Sequence, residues 1–328
     1  MYYFFNEYTT KMNKQKIHKL VENDFYIMNE LTNQRQIKQF TNSFYLCNDH
    51  SALKVVELDE NIRYLNRGKI GADLLLEFDD RGLIYFKNYL KEINSPNLYL
   101  FTIINTFKQL LNSIRILIDN NIVHNNINFD NIFADKHDTI LLANFKYSID
   151  LMNPNMDTYI KHFITAYDPT YIEWPIEIHL LSYLITNKQQ SLSSYNIEMV
   201  INDVLKNNHI LSNFGDNFVS SYKQESLNYF KKYVNQPYNF ILTDMIGFAS
   251  TWDNYALSLV YLRILIGIHK RIGIKNKFII LFMKLLVNNI HLNPIKRLSV
   301  NDTLIEMDKI LDANSVDDYK QIIRLISS

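Results

Sequence analysis

The sequence predicts an α+β domain, mainly helical, on three observations. Strand-like runs are short and confined to the chain before residue 143, amphipathic stripes of helical period fill most of the chain beyond it, and 47% of the residues are hydrophobic. In a chain of 328 residues that apolar share is enough to build a real core.

Taken in order, the stretch 16–31 carries Ile17, Leu20, Val21, Phe25, Ile27, Met28 and Leu31 at near-helical spacing and predicts a helix. Strands are predicted over 44–47, 53–58 and 73–78, the last closing in the turn Asp79-Asp80-Arg81-Gly82 and leading into a helix over 83–93. Beyond Ser95-Pro96, the residues Leu100, Ile103, Ile104, Phe107, Leu110, Leu111, Ile114, Ile116 and Leu117 form one apolar face of a long helix. It should end at Asp119-Asn120-Asn121, whose side chains compete for backbone hydrogen bonds. Two apolar runs, 132–134 and 139–143, flank the polar turn Asp135-Lys136-His137-Asp138 and predict a hairpin. Stripes at 178–184, 197–205, 255–268, 278–287 and 300–311 make the remainder helical.

Charge and composition exclude several function classes. Lys plus Arg and Asp plus Glu both number 34, so no global field draws in nucleic acid or acidic lipid. The most apolar stretches, 261–268 and 278–287, are interrupted by Arg and Lys within the length of a membrane span, and the start of the chain lacks the features of a signal peptide. The single cysteine, Cys47, forms no intramolecular disulfide and suits a reducing compartment, so a cytoplasmic location is expected. No zinc-spaced Cys/His cluster, G-x-S-x-G elbow, Walker loop or H-E-x-x-H occurs.

The most informative stretch is 122–148, IVHNNINFDNIFADKHDTILLANFKYS. It resembles the catalytic loop and the magnesium loop of protein kinases, H-R-D-L-x-x-x-N and D-F-G. His124 matches the family's histidine, Asn125 replaces its arginine, Asn126 its catalytic aspartate and Asn128 its lysine, while Asn131 matches its metal-binding asparagine. Asn144-Phe145-Lys146 fall where the family has D-F-G, with asparagine for the metal-binding aspartate and lysine for the glycine.

The flanks extend the likeness. LLLEFDDRGLIYFKNYL resembles the strand, hinge and helix bordering the adenine pocket, with Leu76 at the gatekeeper position and Glu77 and Phe78 at the hinge. Trp174-Pro175-Ile176-Glu177 resembles a loosened A-P-E, and Asp253 to Leu259 resembles D-x-W-S-L-G. NPIKRLSVNDTLIEM resembles the closing motif around Arg297, which the family pairs with the glutamate matched here by Glu177.

The resemblance implies a two-lobed kinase-like fold, with a reduced N-terminal lobe over 1–78 and a helical C-terminal lobe over 79–328 carrying an insertion at about 178–252. No G-x-G-x-x-G occurs, either Glu22 or Asp24 takes the place of the ion-pairing glutamate, and Lys11, Lys14 and Lys16 are only loosely placed for the strand lysine.

The substitutions have physical consequences. Asn126 cannot accept a proton and forfeits a general-base contribution typically worth ~10²–10⁴ in rate. Mg²⁺ prefers anionic oxygen, and Asn131 and Asn144 are both neutral. Asp130 and Asp135 read as solvated loop and turn residues. The resemblance therefore implies a pseudokinase with no metal site and no expected cofactor, in which ATP binding is weak or absent and without strong magnesium dependence, acting through binding or regulation of a protein partner. The alternatives are a divergent active Ser/Thr kinase using replacement ligands, and a helical interaction module without nucleotide binding. The W-P-I-E motif and the Asn/Ile-rich usage resemble kinase-like proteins of large DNA viruses, which would place the chain in host cytoplasm or virion.

Overall fold

A computed structural model of the chain describes residues 83–327, apart from 136–137, 153–155, 157–159, 161–163, 165 and 273–275. The helix expected over 16–31, the strands expected over 44–47, 53–58 and 73–78, and with them Cys47, Leu76, Glu77 and Phe78, lie outside the described residues. The described part is α+β and mostly helical, with two small antiparallel sheets.

The first part alternates short strands with two helices: β1 (Ile84–Tyr85), α1 (Phe86–Glu92), α2 (Pro96–Asp119), β2 (Ile122–Val123), β3 (Ile132–Ala134), β4 (Ile140–Leu142) and β5 (Ile149–Asp150). The helix expected over 83–93 begins later, at Phe86, because Ile84 and Tyr85 pair with Ala134 and Phe133, and the Tyr85 and Phe133 rings lie 4.8 Å apart. A β-branched and an aromatic residue fit a pleated surface better than a helix start. In α1, Phe86 and Leu90 sit one turn apart and are both buried.

Ser95 caps α2 by accepting from the Leu98 N–H, and Pro96 occupies the first turn, where a missing N–H costs nothing. Leu100, Ile103, Phe107, Leu110, Leu111, Ile114 and Leu117 are all buried, while Ile104 and Ile116 pack at the margin. The helix stops where Asn120 Nδ2 donates to the Ile116 carbonyl and Asn121 turns left-handed, φ 59°. Six non-glycine residues among those described have positive φ, and four of them, Asn121, Asn125, Asn144 and Asn235, are asparagines. In a chain with seven glycines, asparagine takes the left-handed positions, since its side chain tolerates that region best after glycine.

β1, β3 and β4 form one sheet in the order β1-β3-β4, and β2 pairs with β5 in the other. The expected hairpin is β3–β4. Its alternation sends Ile132, Ala134, Ile140 and Leu142 into the main core and Phe133 and Leu141 to a second small cluster with Ala143, Leu83 and Tyr85.

The rest is helical: α3 (Ile176–Thr186), α4 (Ser194–Asn207), α5 (Asp216–Phe230), α6 (Tyr238–Ile246), α7 (Trp252–Ile272), α8 (Lys277–Asn289), α9 (Val300–Asp312) and α10 (Val316–Ser327). The stripes over 178–184, 197–205, 255–268, 278–287 and 300–311 all fall within helices. α5, α6 and α10 had no predicted stripe. α5 buries only Tyr222, Ser226 and Phe230, a seam too narrow and too polar to read as a core face.

α7 runs through the core, with Trp252, Tyr255, Leu257, Leu259, Tyr261, Leu262 and Leu265 essentially solvent-free. Phe107 of α2 meets Tyr261 edge-on at 4.8 Å and Phe282 of α8 at 5.0 Å, and the Thr106 hydroxyl shares a hydrogen bond of 2.7 Å with that of Tyr261. α7 thus ties α2 to α8 and presents its first turn beneath the loop between β2 and β3. No helix among the described residues is long and apolar enough to cross a membrane.

Candidate functional site

The loop 124–131 leaves β2 and is fastened first by its backbone. Asp253, in the first turn of α7, accepts from the His124 N–H through Oδ2 at 2.7 Å and from the Asn125 N–H through Oδ1 at 2.8 Å. Asn125 takes φ 56°, a conformation asparagine tolerates, so successive N–H groups converge on one carboxylate. Ser148 Oγ donates to the His124 carbonyl and Trp174 Nε1 to the Asn125 carbonyl, at 3.0 and 2.9 Å. Burial pushes the Asp253 carboxyl up to about 7, against the pull of its two N–H donors.

His124 is fully buried with its ring edge-on to Phe145 at 4.6 Å. Desolvation lowers it to about 3, and a weak interaction with the Ala143 backbone is the only counterweight; neither ring nitrogen makes a hydrogen bond of good geometry. It is a neutral packing group that joins the loop to the turn after β4.

The asparagines then close on one another. Asn131 Nδ2 donates to the Asn126 carbonyl at 2.8 Å, Asn144 Nδ2 donates to Asn131 Oδ1 at 2.9 Å, and Asn126 Nδ2 donates to the Asn144 carbonyl at 3.1 Å. The Ala143 N–H donates to the Asn131 carbonyl at 3.0 Å, which continues the β3–β4 pairing into the site. Asn144 can reach inward because it is left-handed, φ 70°, at the head of the 3-10 turn Phe145–Tyr147. Lys146 lies in the middle of that turn.

Asn128 completes the cluster. Its Oδ1 accepts from the Asp130 N–H at 2.9 Å, and its Nδ2 donates to the Tyr171 hydroxyl at 2.8 Å. That hydroxyl in turn donates to Asn126 Oδ1 at 2.5 Å. The structure therefore brings together His124, Asn126, Asn128, Asn131 and Asn144, which the sequence singled out. It adds Asp253 as anchor of the loop and Tyr171 and Trp174 as its cover. Trp174 and Asp253 were visible as motif residues, though not in these roles; nothing in spacing or composition marked Tyr171.

Chemically the cluster is neutral. Asn126 Oδ1 accepts hydrogen bonds but holds no proton at physiological pH, and Asn131 Oδ1 already accepts from Asn144. Neutral amides engaged with each other do not fit a divalent cation, which takes anionic oxygens by preference. Asp130 is exposed but lies near enough to Tyr171 and Glu173 for its charge to act on both, and Asp135 Oδ1 accepts from the Thr139 N–H at 2.9 Å in the hairpin turn. No group of three or more His, Cys, Asp or Glu side chains that could hold a metal occurs among the described residues.

A second buried polar contact lies at the start of α3. Arg297 donates to Glu177 through Nη1 to Oε1 at 2.7 Å and Nη2 to Oε2 at 2.9 Å, and its Nε donates to the His291 carbonyl at 2.7 Å. The pair expected from the sequence is thus formed, and it is buried.

No protein-family model matches the chain, and neither does any curated protein.

Proposed function

We propose that the chain is a protein-kinase-like domain in which phosphotransfer has been lost and which acts by binding a protein partner, a pseudokinase. On this reading it has two lobes, a reduced one over 1–78 and a helical one over 79–328 with an insertion at about 178–252. The kinship proposed is with kinase-like proteins of large DNA viruses, in host cytoplasm or virion.

One observation carries the reading: the 2.9 Å hydrogen bond from Asn144 Nδ2 to Asn131 Oδ1. The two positions that resemble metal ligands engage each other's amides, and no carboxylate remains among them. Further support comes from the order of the motifs, from the buried Glu177–Arg297 pair, and from Asp253 beneath the loop that resembles the catalytic loop. Kinase chemistry rests on positioning and on neutralising phosphate charge with metal ions, a lysine and a base. A site built of amides offers the first and lacks the second, so nucleotide should bind weakly.

Calorimetric titration of ATP with and without magnesium, followed by radiolabelled phosphate transfer to a generic protein substrate, tests the proposal. The expected result is weak binding that magnesium does not improve, and no transfer. Tight magnesium-dependent binding with turnover would overturn it in favour of a divergent active kinase; no binding at all leaves a helical interaction module.

A further inference from the structure

The connection between α5 and α6 gathers aromatic side chains around one cation. Tyr229 lies in the last turn of α5, Lys232 and Tyr233 in the 3-10 turn Lys231–Tyr233 that follows, Asp244 in the last turn of α6, and Phe248 just beyond its end. The Lys232 ammonium stands 4.7 Å from the ring centre of Tyr229, 4.7 Å from that of Tyr233 and 5.8 Å from that of Phe248. Asp244 Oδ2 accepts from this ammonium at 2.9 Å and from the Tyr233 hydroxyl at 2.5 Å. Three aromatic rings and a carboxylate around a single ammonium make a cation cage, because the negative face of each ring attracts positive charge.

The cage is open to solvent: the side chains of Lys232 and Asp244 are 40% and 36% exposed, while the ring of Tyr233 beneath them is solvent-free. Burial opposes both charges, but the hydrogen bond to Asp244 raises the Lys232 pKa above its ordinary value, and the bonds from Tyr233 and Lys232 lower that of Asp244. Cage and guest therefore both stay ionised at neutral pH.

Lys232 is nevertheless a weak occupant. Its ammonium is strongly hydrated, its stem is flexible, and an exposed ion pair holds it only lightly. An N-methylated ammonium is the better guest, since its methyl groups can lie against the rings with less water to shed. Asp244 selects further: its Oδ2 accepts an N–H, which a mono- or dimethylammonium keeps and a quaternary ammonium lacks. That favours a lysine side chain over a choline headgroup. Phe240, one turn before Asp244 on α6, is exposed with its ring 6.4 Å from that of Tyr233, and offers apolar surface for the chain that carries the lysine.

We propose that Tyr229, Tyr233, Asp244 and Phe248 form a binding site for a methylated lysine of a partner protein, with Lys232 as its displaceable resident. The site shares no residue with the asparagine cluster and needs no part of the kinase-like reading. It goes beyond that reading by giving the partner a chemistry.

The test is calorimetric titration of the full chain with a short blocked peptide carrying one dimethyllysine. Wild type should bind it, and Lys232→Ala, which empties the cage, should bind it about tenfold more tightly, the worth of an exposed ion pair and a cation–π contact together. Added to Lys232→Ala, either Tyr229→Leu, which keeps apolar bulk without the aromatic face, or Asp244→Ala should weaken binding about tenfold. Choline, and the same peptide with norleucine in place of dimethyllysine, should bind at least about tenfold more weakly than the dimethyllysine peptide. Absence of binding in both wild type and Lys232→Ala would overturn the proposal, and so would binding by the variant alone, which would make Lys232 a fixed part of the fold. Equal binding of choline would make this a quaternary-ammonium site, and equal binding of norleucine a mere apolar patch; either result sinks the proposal. If Lys232→Ala does not fold, Tyr229→Leu and Asp244→Ala in the wild-type background decide, and unchanged binding in both overturns it. The titration involves no nucleotide, so its failure is separate from failure of the kinase-like reading.

Discussion

Arg297 and Glu177 lie 120 residues apart in the chain and meet as a bidentate pair with side chains 1% and 0% exposed. Tyr255 presents its ring to the guanidinium at 4.9 Å, and Thr251 Oγ1 accepts a further hydrogen bond at 3.2 Å. The pair joins the start of α3 to the turn before α9. Removing either partner leaves a lone buried charge, so Arg297→Ala and Glu177→Ala should each cost roughly 3–5 kcal/mol in urea unfolding. Arg297→Lys should recover only part of this, because an ammonium cannot make two parallel bonds. A loss near zero would mean that the pair contributes no stability.

Asp253 is the second buried anchor. Asp253→Ala orphans the N–H groups of His124 and Asn125, each at a predicted cost of ~1–3 kcal/mol. The loss should be accompanied by faster hydrogen exchange in 124–131 while α8 and α9 stay protected. Uniform loosening of the whole chain would contradict a local anchoring role.

The two buried histidines should make the fold sensitive to acid. Burial lowers His124 to about 3 and His179 to about 4, the latter in spite of Asp168 nearby. The unfolded chain protonates both near 6.5 and the folded chain does not, so their contribution is complete above pH 6.5 and is lost as pH falls, toward 4 for His179 and toward 3 for His124. Asp253, raised to about 7, works in the opposite sense: the folded chain keeps a proton that the unfolded chain releases above about 4. His179→Gln should therefore flatten the dependence of unfolding free energy on pH between 5 and 6 by up to about 1.4 kcal/mol per pH unit relative to wild type. An unchanged slope would show that His179 is protonated in the folded state.

Restoring Asn126→Asp and Asn144→Asp together should not yield an efficient kinase. Catalytic groups act as a unit, and partial repair recovers far less than separate contributions suggest. The structure adds a cost in stability. Asn144→Asp would set a carboxylate against Asn131 Oδ1, and Asn126→Asp would set one against the Asn144 carbonyl, where donors stand now. The double variant should melt below wild type and show background phosphate transfer; robust turnover would revive the active-kinase reading.

Much of the fold was legible in the sequence because it rests on periodicity. The face of α2, the β3–β4 hairpin and the stripes of α3, α4, α7, α8 and α9 repeat their apolar residues at the spacing their elements impose. α5 escaped notice because tertiary packing asks so little of it, three buried positions of which one is a serine. Residue types also decided the chemistry of the cluster in advance: asparagine at 126, 128, 131 and 144 cannot carry charge, wherever the chain places it.

What only the tertiary structure decided is how those amides are satisfied. Asp253 reaches the loop across 128 and 129 residues and Tyr171 reaches Asn126 across 45, and a hydrogen bond between distant residues leaves no period in the sequence. Sequence alone determined that the cluster is neutral. Folding determined that it is closed on itself, because a buried amide must find a partner and the nearest ones are its fellow asparagines and the tyrosine that packing brings over them.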